Sequence, residues 1–182
     1  MSFSLIQRLR NKIKIDNSTI VEISKSSKIV GCHILIKGKN NHFVVQSGTR
    51  LRNMIVEIIG DNCSVKIGKN CMIGDNCYLS VKEGTALVFG NDCGLSRNVK
   101  IMTSDGHPIF KDGKRINKAK DIVLGSHIWV ADNVTILKGV NIGDGSVVGI
   151  NSTVVKDVPP SVVCVGNPAK IVKDNIEWRD KL

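Results

Sequence analysis

Aromatic residues supply only 4% of this 182-residue chain. A core of stacked rings is therefore excluded, and the interior must be narrow and filled by Val, Ile and Leu. No run approaches the roughly 18 apolar residues that a membrane-spanning helix needs. Residues 1–15 carry scattered charges and no apolar centre, so no signal peptide is expected. The six cysteines include no CxxC pair, which argues against a structural zinc site. Acidic residues are also in short supply, at 16 against 26 Lys and Arg, a net charge of +10. That excess suits an anionic partner: nucleic acid, an anionic membrane surface or a phosphorylated small molecule. It is also compatible with a simply soluble basic surface. With no nucleic-acid module and no basic run interleaved with aromatics, nucleic acid is not expected. A reducing cytosol is the default for such thiols.

The stretch from Leu124 to Pro159 is where the sequence becomes regular. Read in sixes, its blocks open with Leu124, Val130, Ile136, Ile142, Val148 and Val154. The second place is small in four of the six: Gly125, Ala131, Gly143 and Gly149. A period of six maintained over six blocks indicates a solenoid of short parallel strands. One block spans a flat side and a corner, and three sides close a coil, so each opener returns three blocks later. Leu124 should then stack under Ile142, Val130 under Val148, and Ile136 under Val154, forming apolar ladders inside a prism. Gly and Asn at the corners tolerate the left-handed backbone. A single coil cannot bury its own apolar face, so stability comes from stacked neighbours. A sandwich of short strands would place turns every 8–12 residues instead.

The rest of the chain reads as one domain. Residues 1–12 form an N-terminal cap, with a short helix over residues 2–9 in which Phe3, Ile6 and Leu9 share a face. Its job is to close the open end of the solenoid; membrane-surface binding, from Arg8, Arg10, Lys12 and Lys14, is a second possibility. Residues 13–165 form the solenoid. The six-residue phase slips repeatedly between Ile13 and Val56, which reads as irregular coils with extra corner residues. Cys63, Cys71, Cys77 and Cys93 each follow an apolar opener (Ile59, Ile67, Ile73, Phe89) by four places, the inward corner place, where a thiol serves as a compact apolar filler. The pattern fails at His107, and residues 103–121 make a loop of about 19 residues thrown out from one corner. Long loops on rigid scaffolds are disproportionately functional. Residues 166–182 read as a Gly-Asn-Pro turn and a short helix from Ala169 to about Lys181, with Ile171, Ile176 and Trp178 packing back.

Several strings carry a family resemblance: Ile128-Trp129, Leu137-Lys138-Gly139-Val140, Ile142-Gly143-Asp144-Gly145, Lys156-Asp157-Val158-Pro159 and Gly166-Asn167-Pro168-Ala169-Lys170. With them the chain resembles the hexapeptide-repeat acyltransferases, and within them the bacterial polysaccharide and sugar O-acetyltransferases. The resemblance is good from Ile59 to Trp178 and loose before that. It implies an all-β, left-handed parallel β-helix. The handedness comes from the family alone, since crossovers between parallel strands are ordinarily right-handed.

The resemblance also implies chemistry. A hydroxyl nucleophile needs a base that accepts a proton near neutral pH, which suits imidazole. His107, within Asp105-Gly106-His107-Pro108, matches the loop histidine that serves this role in the family. Asp105 would orient the imidazole or bind the acceptor, and is equally readable as a solvated loop aspartate. Asn91 and Asp92 are candidates for acceptor contacts. Trp129 matches an aromatic that walls the acceptor site, or packs structurally. Ala131, Ile150 and Val155 match places where the pantetheine arm of acetyl-coenzyme A lies between coils. Lys170 and Lys173 match basic residues that meet the nucleotide phosphates, as point charges rather than bidentate forks. His127 reads as a surface residue, His33 and His42 have no partner motif, and no metal is expected. The implied activity is acetyl transfer from acetyl-coenzyme A to a saccharide hydroxyl by a homotrimer with sites between subunits. Acetylation of xenobiotics or amino acids on the same scaffold, and a non-catalytic assembly platform, are the alternatives.

Overall fold

The blocks between Leu124 and Pro159 become the walls of a triangular prism in the computed structural model, which describes residues 3–179. The first wall stacks seven parallel strands, from Lys12–Ile15 to Thr153–Val154. The second stacks six, from Ile20–Ile23 to Asn141–Ile142. The third runs from Lys28–Val30 to Val163–Gly166 and adds one antiparallel strand, Ala169–Lys173. The expected register is present: Leu124 pairs with Ile142, Val130 with Val148, and Ile136 with Val154. All six are at most 2% exposed. Each opener therefore covers the apolar face of the one below, the condition under which a stack of marginal coils becomes a stable core. The solenoid is the left-handed β-helix of about six turns.

The first third is regular, which corrects the reading of it as irregular. Lys12 pairs with His33, His33 with Ile55, Ile55 with Tyr78 and Tyr78 with Lys100. The step between partners is nearly constant and longer than three blocks of six. The extra residues fall on particular sides. In one early coil, the sides that begin at His33 and at His42 are long, and the side that begins at Arg50 is short. The late strands starting at Trp129, Thr135, Asn141, Val147 and Thr153 are evenly spaced. The slipping phase is thus a longer repeat that widens the first two walls and keeps the third narrow.

Corners are held by residues in left-handed backbone. Asn98 donates to Asn133 and Asn133 to Asn151, each at 3.0 Å, and all three have φ near +60°. Where coils approach most closely, only glycine fits: a Cβ on Gly68 would sit 2.0 Å from the Gly90 carbonyl oxygen. The four cysteines read as corner fillers are buried thiols, as are Cys32 and Cys164. Burial pushes the Cys77 thiol up to about 11, as expected of an inert filler. Ile59 is half-buried, its neighbour Ile58 taking the inward place.

Both ends differ from expectation. At the N-terminus the helix is Leu5–Arg10, begun by a capping box between Ser4 and Gln7; Ser2 lies outside the described residues. It buries none of its own side chains, and Leu5, Ile6 and Leu9 are exposed. The plug is Phe3, which precedes the helix and stacks on Phe43 with ring centroids 6.1 Å apart. At the C-terminus the described residues do not form the expected helix. Ala169–Lys173 is a strand pairing back on Val163–Gly166 around Asn167-Pro168. Ile171 and Val172 favour a strand, Asp174-Asn175 interrupts a helix, and the hairpin covers the otherwise open edge of the third wall. Residues 180–182 of that expected helix lie outside the described residues. Among the described residues no helix is long and apolar enough to cross a membrane.

Candidate functional site

Residues 103–121 leave the prism between Lys100–Met102 of the first wall and Ile122–Leu124 of the second. The loop has its own hairpin, Phe110–Lys111 against Lys114–Arg115. Asp112-Gly113 turns it, with φ of 49° and 72°, the pairing favoured in tight hairpins. Two clasps tie it to the scaffold. Glu83 pairs with Arg115 at 2.7 Å and accepts from Ser104 at 2.8 Å. At its base the side chain of Asn117, only 8% exposed, accepts from the Ile109 backbone at 2.6 Å. The same side chain donates to the Asp105 carboxylate and to the His107 carbonyl, each at 2.8 Å.

Asp105 is engaged by Lys138 as well, and the Lys138 ammonium also reaches the Asn117 carbonyl at 3.1 Å. The hydrogen bond from Lys138 holds the Asp105 carboxyl below the usual carboxylate range; the Asn117 bond acts the same way, against partial burial. Among the described residues Asp105 makes no bond to the imidazole. It braces the loop, and His107 is left with a pinned backbone and an exposed side chain. Sequence reasoning missed Asn117 and the bracing role of Lys138. The signal available for Lys138 was its place in the Leu137-Lys138-Gly139-Val140 string; Asn117 had none.

The remaining candidates lie elsewhere on the prism. Trp129, 43% exposed, stands on the outer face of the third wall. It borders a groove of about 1260 Å³ that Ala131, Ile150 and Trp178 also line. Val155 follows the last strand of the first wall and does not line this groove. Asn91 and Asp92 occupy the corner between the second and third walls. There Asn91 accepts from the Lys69 backbone at 2.9 Å, and Asp92 accepts from Asn70 at 3.1 Å. Their side chains are thus ladder elements of the corner. Lys170 and Lys173 are both exposed on the return strand. A spacing of three would put them on opposite faces of a regular strand. The register shift at Val163/Cys164 instead pairs Lys170 with Val165 and Lys173 with Val163, so both share the outer face of the third wall.

His127 corrects the expectation of a plain surface residue. It sits at a corner with φ of 56°. Its ring stacks on Trp178 with centroids 4.0 Å apart and planes within 1°. Trp178 Nε1 donates to the His127 carbonyl at 3.0 Å, and His127 Nε2 lies 3.0 Å from the Trp178 carbonyl. Because a carbonyl only accepts, that nitrogen carries the proton. The pair pins the C-terminal segment beside Trp129, whose ring centroid is 6.0 Å from that of Trp178.

The loop leaves the corner between the first and second walls, and the third wall is the side opposite that corner. One copy of the chain therefore does not bring His107 together with Trp129, Ala131 and Ile150. A loop from one copy and the third wall of another are the surfaces that could.

No family model matches the chain. It is 38% identical over 160 residues to a polysialic acid O-acetyltransferase of Escherichia coli O1:K1 / APEC, covering 87% of this chain and 44% of that one. It is 36% identical over 171 residues to a polysialic acid O-acetyltransferase of Neisseria meningitidis, covering 92% of this chain and 79% of the relative. The chain thus spans less than half the length of the first and about four fifths of the second. Among solved structures, the polySia-specific acetyltransferase NeuO superimposes with a TM-score of 0.74 and 33% identity, over 94% of this chain and 88% of that one. With its prism, its loop and these relatives, the chain belongs to the hexapeptide-repeat O-acetyltransferases.

Proposed function

We propose that the chain transfers an acetyl group from acetyl-coenzyme A to a saccharide hydroxyl, with His107 as general base. The observation that carries this reading is the loop: its backbone is fixed at His107 by Asn117 while the imidazole faces solvent. On this scaffold that presents a base to whatever docks against it. The imidazole takes the proton of the acceptor hydroxyl as its oxygen attacks the thioester carbonyl. Backbone N–H groups of a neighbouring coil stabilise the tetrahedral oxyanion. The C–S bond then breaks, and the proton passes from the imidazolium to the departing thiolate, leaving an O-acetyl ester and free coenzyme A. Trp129 walls the acceptor, and Ala131 and Ile150 flank the pantetheine arm; Val155, off this groove, is left without that role.

The parts come from different walls, so a closed cyclic oligomer completes the site, and a homotrimer gives three equal clefts. Light scattering that finds a monomer at micromolar concentration would remove the shared site. The reaction itself is tested by an acceptor screen watched for free thiol, with the product examined by mass spectrometry. The expected product is an alkali-labile ester; an alkali-stable amide would instead support acetylation of an amine.

In this reading Lys170 and Lys173 meet the coenzyme phosphates, and their shared face through the register shift supports it. Replacing both with Ala should raise the KM for acetyl-coenzyme A several-fold, with turnover held, and the difference should shrink at high salt. An unchanged KM would move the phosphate site elsewhere.

A further inference from the structure

The helix Leu5–Arg10 is inside out. A surface helix ordinarily turns its apolar stripe to the core and its polar residues to water. Here none of the six side chains is buried, and the one that is half-buried is polar, Gln7. Leu5, Ile6 and Leu9 are 75%, 61% and 79% exposed. At about 100° per residue they fall on one side of the helix, and Arg8 and Arg10 border that side on either hand.

The orientation is fixed by contacts at both ends. Six residues alone make a marginal helix in water. This one starts at its capping box, and Phe3, just before it, stacks on Phe43. At the other end Asn11 donates to the Gln7 carbonyl at 2.7 Å and to the Ile29 carbonyl at 2.8 Å, and accepts from the Cys32 backbone at 2.8 Å. The Arg10 carbonyl accepts from the Gly31 backbone at 3.1 Å. An element held this firmly loses little freedom when something binds it.

The charge around the helix is of one sign. Residues 1–15 contain Arg8, Arg10, Lys12 and Lys14 and no Asp or Glu. All four are exposed, and none forms an ion pair among the described residues. Beside Leu9 lies a notch of about 470 Å³ that Arg10, Lys12 and His33 also line. An apolar stripe flanked by cations suits the boundary between lipid headgroups and acyl chains. A second copy is a poorer occupant, because two such helices laid face to face bring Arg8 and Arg10 against like charges.

We propose that the N-terminal end of the prism docks on a membrane surface bearing anionic phospholipid. Leu5, Ile6 and Leu9 enter the interface, and Arg8, Arg10, Lys12 and Lys14 meet the headgroups. In a closed cyclic assembly the copies of the helix lie at one height along the axis. They can then reach one surface together, and the linked contacts reinforce one another. This docking does not depend on the acetyl-transfer reading.

The test is flotation of the full chain with vesicles of phosphatidylcholine alone or of phosphatidylcholine mixed with phosphatidylglycerol. The wild type should float with the mixed vesicles and not with the neutral ones, and high salt should weaken its binding. Leu5→Ser/Leu9→Ser and Arg8→Ala/Arg10→Ala should each lower partitioning about tenfold. Both spare Phe3 and Asn11, and thermal melting checks that each keeps the fold. Lys66→Ala/Lys69→Ala removes two exposed charges from the middle of the second wall and should bind as wild type does. Leu9→Cys carrying an environment-sensitive fluorophore should report apolar surroundings on the mixed vesicles; the native thiols are buried and escape the label. The proposal is overturned if the wild type floats with neither vesicle, if Leu5→Ser/Leu9→Ser floats as wild type does, or if Lys66→Ala/Lys69→Ala loses as much as the helix variants. A fluorophore that stays in water overturns it as well. Loss of size in light scattering on Leu5→Ser/Leu9→Ser, with no flotation of the wild type, would assign the helix to a second copy instead.

Discussion

Turnover of His107→Ala should fall by roughly 10²–10⁴-fold relative to wild type, the usual loss when a positioned base is removed. The solenoid should melt as before, because the residue lies outside the stacked apolar ladders. Affinity for acetyl-coenzyme A should change little. The ion pair at the loop base should persist on mild acidification. Lys138 lowers the folded-state value of the Asp105 carboxyl, so the pair contributes fully above the ordinary carboxylate value of about 4 and is lost only as pH falls through the lowered one. The matched control is His42→Ala, whose side chain is exposed on the second wall. His127→Ala is unsuitable, since it would remove the stack on Trp178 and leave alanine at a left-handed corner. Retention of most activity by His107→Ala would mean that another group takes the proton.

The late coils are legible because period and geometry coincide there: one block makes one side, and each opener meets its copy three blocks on. The early coils are harder because their sides are unequal. Nothing in a fixed six-residue frame distinguishes a longer side from a slip, although the longer step recurs from coil to coil. The buried cysteines are readable from their corner place alone. The expected C-terminal helix fails because Ile171, Ile176 and Trp178 do not form one helical face, while Asn167-Pro168 and the β-branched pair Ile171-Val172 favour a hairpin.

At the site, the sequence locates the interrupting loop and its histidine, because an interruption is visible in a repeat. It does not show that the loop and Trp129 project from opposite sides of the prism, since closure in three dimensions decides that. Nor does it show that Lys170 and Lys173 share a face, which depends on a register shift that the spacing conceals. The cationic excess is plain from composition, but that Arg52 and Arg97 are held by Asp75 and Asp132 emerges only from the stacking of the coils.

Asn117→Ala should be the most damaging change that leaves the chemical groups in place, with turnover falling on the order of 10²-fold through lost positioning alone. Three bonds converge on this side chain: from the Ile109 backbone, to the Asp105 carboxylate and to the His107 carbonyl. Alanine leaves the Ile109 N–H without its acceptor, a local cost of about 1–3 kcal/mol where water cannot replace it, and frees the backbone that carries the base. The Glu83 clasp with Arg115 and Ser104 still tethers the loop, so the segment should stay attached while His107 loses its fixed place. The midpoint of thermal unfolding should move little, because Asn117 belongs to the loop and not to the ladders. A thermodynamic cycle separates positioning from an independent role. If Asn117 acts through His107, the double variant His107→Ala/Asn117→Ala should turn over no more slowly than His107→Ala alone, since residues that work as a unit are not additive. Wild-type turnover in Asn117→Ala, or a double variant slower by the full product of the two single losses, would show that the loop base does not position the histidine.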